Sequence, residues 1–259
     1  MSRYPVLFLC GLAVALPAVA LAGPASTAGD QSLQLSGSIT PNKASPSNGA
    51  RGVVLKLHVA YESLNQGAQV KEVTKQVAIK GPSGLKFHPD RAAVCKVSDM
   101  LQSDANGQPV GPAACPQGSQ IGSGTATADA RPALPQPVPA TVQIINGSDD
   151  VNPDGTPRTP GTPSVVLYAK TNIGATSILP FDIDGSRLHV DFAPLPPGQT
   201  QPYHIQTVDV TLPNRGGSKA YVTAPRRCGS THRWAFSMTV SNYDGPTVTA
   251  RHSVRCRKA

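Results

Sequence analysis

The chain has 259 residues, 26 of them proline and 24 glycine, with aromatics at 5% and a net charge of +8. Proline and glycine at about a fifth of the chain exclude long helices yet fall short of wholesale disorder, and the runs between them are rich in Val, Thr, Ile and Tyr, which suit a pleated surface. The basic residues are scattered rather than striped among aromatics, so the charge does not point to nucleic acid.

The chain opens with the pattern of a secretory signal over residues 1–22. Arg3 precedes an apolar run at 6–21, and Ala20-Leu21-Ala22 forms a small-x-small cleavage site. The run is short of the roughly 20 apolar residues a membrane span needs, so no transmembrane anchor is expected after cleavage. Cys10 follows the bulky Leu9 inside the run, which does not suit a lipoprotein. Export leaves Cys95, Cys115, Cys228 and Cys256. An even number in an exported chain implies two disulfides, with three connectivities open. Proximity favours Cys95–Cys115 and Cys228–Cys256, each contributing roughly 3 kcal/mol in the loop-entropy description. No C-x-x-C and no histidine at ligand spacing from a cysteine suggests zinc.

Residues 23–34 are small and polar and read as a flexible leader before a domain over 35–259. A short strand at 35–40 comes first. In 53–61, Val53, Leu55, Leu57, Val59 and Tyr61 share one face of a clear strand. A weaker strand follows at 70–80. The irregular region 85–118 suggests a short helix at 90–101 carrying Cys95, and 120–129 leaves it as a small-residue strand. The prolines of 131–139 mark an extended connector or edge. Strands at 141–145 and 164–170 flank a long polar loop at 147–163, and 178–183, 187–192, 203–212 and 219–223 follow. Asp184-Gly185-Ser186 is hairpin-turn chemistry. The apolar parity switches between Ile205 and Val208, which predicts a β-bulge near Gln206 and Thr207. At the end, Trp234, Phe236, Met238 and Val240 alternate with polar residues, turn at 242–246, and return through Val248, Ala250 and Val254 to Cys256. This is a hairpin stapled at its base. Ten to twelve short strands predict an all-β antiparallel sandwich, Ig-like or jelly-roll-like, with long Pro/Gly-rich loops. Each half has its own cysteine pair, so one domain and two subdomains divided near 130–150 both fit.

Asp150, Asn152 and Asp154 form D-x-N-x-D-G with Gly155, the opening half of a calcium loop. The twelfth position is Gly161 rather than a bidentate glutamate, so calcium is the one cofactor the sequence raises, on an incomplete motif. Asn146-Gly147-Ser148 fits a glycosylation sequon and also reads as a turn. No G-x-S-x-G or H-E-x-x-H is present. His189 and Asp191 share a strand face, Asp182 and Asp184 flank Ile183 beside a turn, and the only glutamates are Glu62 and Glu72. None of these makes a convincing catalytic set. His252 falls among apolar neighbours and reads as a hydrogen-bonded structural histidine. The staple would bring Arg226 and Arg227 near Arg251, Arg255 and Arg257, a basic surface patch suited to an anionic surface.

Three segments carry a resemblance. They are Cys115-Pro116 through Ser119 to Ile121-Gly122, Pro225 through Cys228 and Trp234-Ala235-Phe236 to Cys256, and the early Ser38 to Ala44 turn. In these the chain resembles a broad group of secreted proteins of high-GC Gram-positive bacteria. The resemblance implies a secreted β-rich protein and brings no catalytic residues with it. The expectation is a secreted, non-enzymatic binding or cell-surface interaction protein whose partner is a cell-wall polymer, a protein or an anionic surface. The alternatives are an extracellular carbohydrate-active or other hydrolase assembled from distant strands, and a passive envelope component.

Overall fold

Alternating side chains on most strands leave one apolar face per strand, and the chain buries these faces by curling one sheet around them. The computed structural model describes residues 24–46, 49–63, 73–105, 107–130, 134, 136–151, 157–194, 204–214, 216, 219–243 and 245–258. The expected signal at 1–22 lies outside them. The strands are β1 (Ser26–Ala28), β2 (Gln31–Thr40), β3 (Val54–Ser63), β4 (Thr74–Lys80), β5 (Lys86–Phe87), β6 (Cys95–Lys96), β7 (Gln120–Asp129), β8 (Val138–Val151), β9 (Pro157–Thr171), β10 (Thr176–Asp184), β11 (Arg187–Asp191), β12 (His204–Leu212), β13 (Val222–Thr223), β14 (Arg233–Asn242) and β15 (Val248–Arg255). One short helix, α1 (Val97–Leu101), follows β6.

The main sheet runs β1-β2-β3-β12-β7-β8-β9-β10-β11-β4-β14-β15, and its neighbours are antiparallel throughout. It passes through both halves of the chain, since β12 lies between β3 and β7, and β4 between β11 and β14. The expected sandwich is therefore replaced by a nearly closed, barrel-like sheet. Strand alternation is the same in both architectures; the difference lies in whether the first and last strands meet. Here they do. β1 pairs with β2 and lies against β15, His252 Nε2 sits 3.1 Å from the Gly37 carbonyl oxygen, and beyond β15 Arg257 bridges Lys43 in parallel. Close approach sets local sequence too: a Cβ on Gly124 of β7 would stand within bonding distance of the Asp209 carbonyl of β12.

Several local expectations match the strands. The register shifts between Ile205 and Thr207, where the bulge was expected. Trp234, Phe236, Met238 and Val240 are buried, and both disulfides have the proximal pairing, with Cα separations of 5.0 and 5.6 Å. Others differ. The leader contains β1 and the start of β2, and Leu33 is fully buried there. Cys95 lies on β6, parallel to β8 at Gly147, rather than on a helix. The expected 147–163 loop is largely the two arms of the β8–β9 hairpin, paired out to Val151 and Pro157.

The inward faces form one core around the inside of the sheet. They do not fill it. A cavity of about 380 Å³ runs along the interior, walled by side chains of β3, β4, β8, β9, β10, β11, β12 and β14.

β8 and β9 are also buried on their outer faces. Val165, Val166, Leu167, Tyr168 and Ala169 are all buried, the continuous apolar run expected of a strand covered on both sides. The cover is the 85–118 excursion, whose Val97 and Met100 pack on Ile145, Val166, Tyr168 and Ile178. Gly111, at φ +64°, passes so close to Tyr168 that a Cβ would lie 2.6 Å from its ring. One end of the barrel is capped by the small β5–β13 sheet, carrying Leu85, Phe87, Tyr221 and Val222. The cap is stitched to the wall through Val53 N–H to Val222 O and through fully buried Asn146 of β8. Asn146 Nδ2 faces the carbonyls of Pro89, Ala92 and Ala93 at 3.0, 3.1 and 3.2 Å, and its Oδ1 accepts from the Tyr221 hydroxyl at 2.9 Å. The amide of the expected sequon is thus consumed inside the fold. Burial pushes the Tyr221 phenol well above its ordinary range, so it stays a donor.

Asn146→Ala strips partners from three carbonyls and a phenol, and is expected to lose about 3 kcal/mol in urea unfolding; Tyr221→Phe should lose about 1–2. A change below about 0.5 kcal/mol for Asn146→Ala would show that the amide does not hold the cap. His88, bonded to Thr223 Oγ1 at 3.0 Å, titrates below 6.5, because burial and then Arg91 disfavour its charge and outweigh Asp90. The folded state therefore binds its proton less readily than the unfolded chain. Stability from this group is full above pH 6.5 and declines as the pH falls through that value. His88→Gln should flatten the decline in unfolding free energy measured between pH 7 and 5.

Candidate functional site

The residues first considered for metal or catalysis are mostly engaged in structure. Asp150 lies at the outer end of β8, where α1 begins. Its Oδ1 accepts from the Ser98 N–H at 3.1 Å and its Oδ2 from the Ser98 hydroxyl at 2.6 Å. Burial alone would raise its pKa, but the Ser98 bonds and the Lys96 charge outweigh that and hold the carboxyl below its usual value. Asn152 and Asp154 lie outside the described residues, and among the described residues no group of three metal-ligating side chains forms.

His189 faces Asp182 across the β10–β11 pair, with Nε2 3.8 Å from Oδ2, beyond hydrogen-bond distance. Ser164 is in register with Asp182 on β9 but is fully buried. Asp191 instead accepts from Gln76 Nε2 at 2.6 Å, so it does not orient His189. Asp184 and Glu62 are exposed, and Glu72 lies outside the described residues. His58 Nδ1 and Asp209 Oδ1, 2.8 Å apart, form an outer cross-strand pair that the sequence alone did not suggest.

Sheet register gathers basic side chains on the outer face of the last hairpin. On β14 and β15, Arg233 is opposite Arg255 and Ser237 opposite Arg251, so all three arginines project outward. The β4–β14 register sets Lys80 beside Ser237. Lys80, Arg233 and Arg251 line a shallow depression of about 610 Å³ with His252, Ser83 and Ser253. A neighbouring hollow of about 510 Å³ beside β15 holds Lys43, Arg255 and Arg257. Among the described residues no carboxylate lines either. Arg233 is held by Ser253, its Nε donating to Oγ at 2.8 Å. Arg226 and Arg227 are exposed beside the Cys228–Cys256 staple, and the Arg227 carbonyl accepts from Trp234 Nε1. The sequence named five arginines around the staple, of which Arg251, Arg255 and Arg257 line these hollows. It missed Lys43, Lys80 and Arg233, which only sheet register brings in.

Fold and surface together define an all-β, disulfide-stapled, barrel-like protein with a basic outer face. No helix among the described residues is long and apolar enough to cross a membrane. No protein-family model, no curated protein and no solved structure matches the chain.

Asp150→Asn should loosen α1, read as faster amide exchange at Ser98 with little change at Val166. In the native chain the same loosening should appear as the pH falls through the carboxylate range, because the depressed folded pKa makes this contact stabilising only above it. A Ser98 protection factor, exchange corrected for its intrinsic base-catalysed rate, that is independent of pH between 6 and 3 would refute the assignment.

Proposed function

We propose that the chain is an exported, non-enzymatic binding module that docks on a polyanionic surface of the cell envelope through the outer face of β14 and β15. The observation that carries this reading is the gathering of Lys43, Lys80, Arg233, Arg251, Arg255 and Arg257 around two hollows without a lining carboxylate. Like charges on neighbouring strands repel one another, and a bound polyanion relieves that repulsion while releasing counterions. Shallow hollows suit repeating anionic groups on a polymer better than one enclosed molecule. Two disulfides support an extracellular setting, because such bonds persist in oxidising compartments.

Attraction of this kind is screened over about 8 Å at physiological salt. Binding to immobilised inorganic polyphosphate should therefore weaken at least about tenfold between 50 and 300 mM NaCl. The double reversal Arg251→Glu/Arg255→Glu should weaken it by a similar factor at 50 mM while leaving the melting temperature near that of the native chain. Affinity indifferent to both salt and charge reversal would sink the reading.

A further inference from the structure

The barrel interior differs in chemistry from the basic face. Its inward-facing aliphatics are incompletely buried: Val77, Ile79, Leu179, Val208 and Val210 all keep partial accessibility although they point into the sheet. In a filled barrel such positions close against one another. On β3 the cavity wall runs from Leu55 to Tyr61, about 20 Å of strand. Its volume of about 380 Å³ is spread along that length. That makes a long, narrow bore with room for on the order of a dozen water-sized groups.

The two ends differ. Leu55, Leu212 and Phe87 stand at the end covered by the β5–β13 cap. Thr74 at the start of β4 and Ser177 near the start of β10 place hydroxyls at the other end. Among the described lining residues there is no lysine, arginine, histidine or carboxylate. An ion drawn into such a site loses its hydration and gains no counter-charge, whereas a neutral hydroxyl or ester can be matched by Thr74 and Ser177.

We infer that the bore binds one unbranched, neutral amphiphile, an aliphatic chain with its terminal methyl toward Phe87 and Leu212 and an uncharged polar head toward Thr74 and Ser177. The length of the wall selects a chain over a compact ring system, and the lining, uncharged among the described residues, selects an alcohol or ester head over a carboxylate. The site is independent of the basic face, which lies on the outside of the sheet.

Titration calorimetry of the delipidated protein with 1-decanol and with decanoate at pH 8 tests both parts. One equivalent of decanol is expected to bind, at least tenfold tighter than decanoate. Leu179→Trp, which fills the bore, should weaken decanol binding at least tenfold with an unchanged or higher melting temperature, and Arg251→Glu should leave it unaltered. Nuclear Overhauser contacts in the native chain give a readout that needs no variant: the decanol methyl should contact Leu212 and its carbinol protons Thr74. No decanol binding, binding that survives Leu179→Trp in a folded variant, or contacts confined to the outer surface would overturn the site. Decanoate binding in the bore as tightly as decanol would overturn the neutral head.

Discussion

The fully buried amide of Asn146 is the contact on which the arrangement at the capped end depends. A polar side chain taken out of water is tolerated only when its donors and acceptors are met, and here they are met by two separate pieces of chain, while its backbone engages a third. Its Nδ2 holds the 89–93 segment, its Oδ1 holds Tyr221 of the cap, and its own backbone N–H donates to Ser119 as the excursion ends. The Cys95–Cys115 bridge closes the same excursion covalently. Between them, the amide and the bridge convert an irregular stretch of more than thirty residues into a lid over the outer faces of β8, β9 and β10. That lid is why these strands carry apolar residues on both faces while most others alternate.

The basic face follows from sheet register. Lys80 lies far in sequence from Arg233 and Arg251, and they meet because β4 pairs with β14 and β14 with β15 in one register. A slip by one residue would turn the arginines inward and Phe236 outward. Burial of Trp234, Phe236 and Met238 makes that slip costly, so the core of the hairpin is also what fixes the charge pattern outside it.

Much of this was legible before any coordinates. The alternation from Trp234 to Val240, the parity switch at Gln206, the Gly185 turn and the even cysteine count each have one simple physical reading. What stayed hidden depends on long-range closure. Alternation in β3 or β14 is identical whether the sheet folds over into two layers or curls round to meet itself, so the barrel was not readable. Asn146-Gly147-Ser148 has turn composition, and only the packing around it turns the asparagine into a buried junction. The contributions of Lys43 and Lys80 required knowing which strands are neighbours.

Closure itself is incomplete in an informative way. β15 packs against β2 between the β1 strand at one end and the Lys43–Arg257 bridge at the other, with the His252 side chain bonded to the Gly37 carbonyl and no hydrogen-bonded ladder among the described residues. A sheet of this many strands, curled around one set of inward faces, encloses more volume than aliphatic side chains of ordinary size fill, since barrel diameter grows with strand number. Val77, Val208 and Val210 are short for such a radius, and larger residues there would close the bore. Strand number and side-chain size thus produce the cavity together. The same curling places the β14–β15 outer face in solvent with its arginines fanned outward. An apolar interior and a basic exterior are two sides of the same strands, separated by one sheet thickness, and each is set by alternate residues of one sequence pattern.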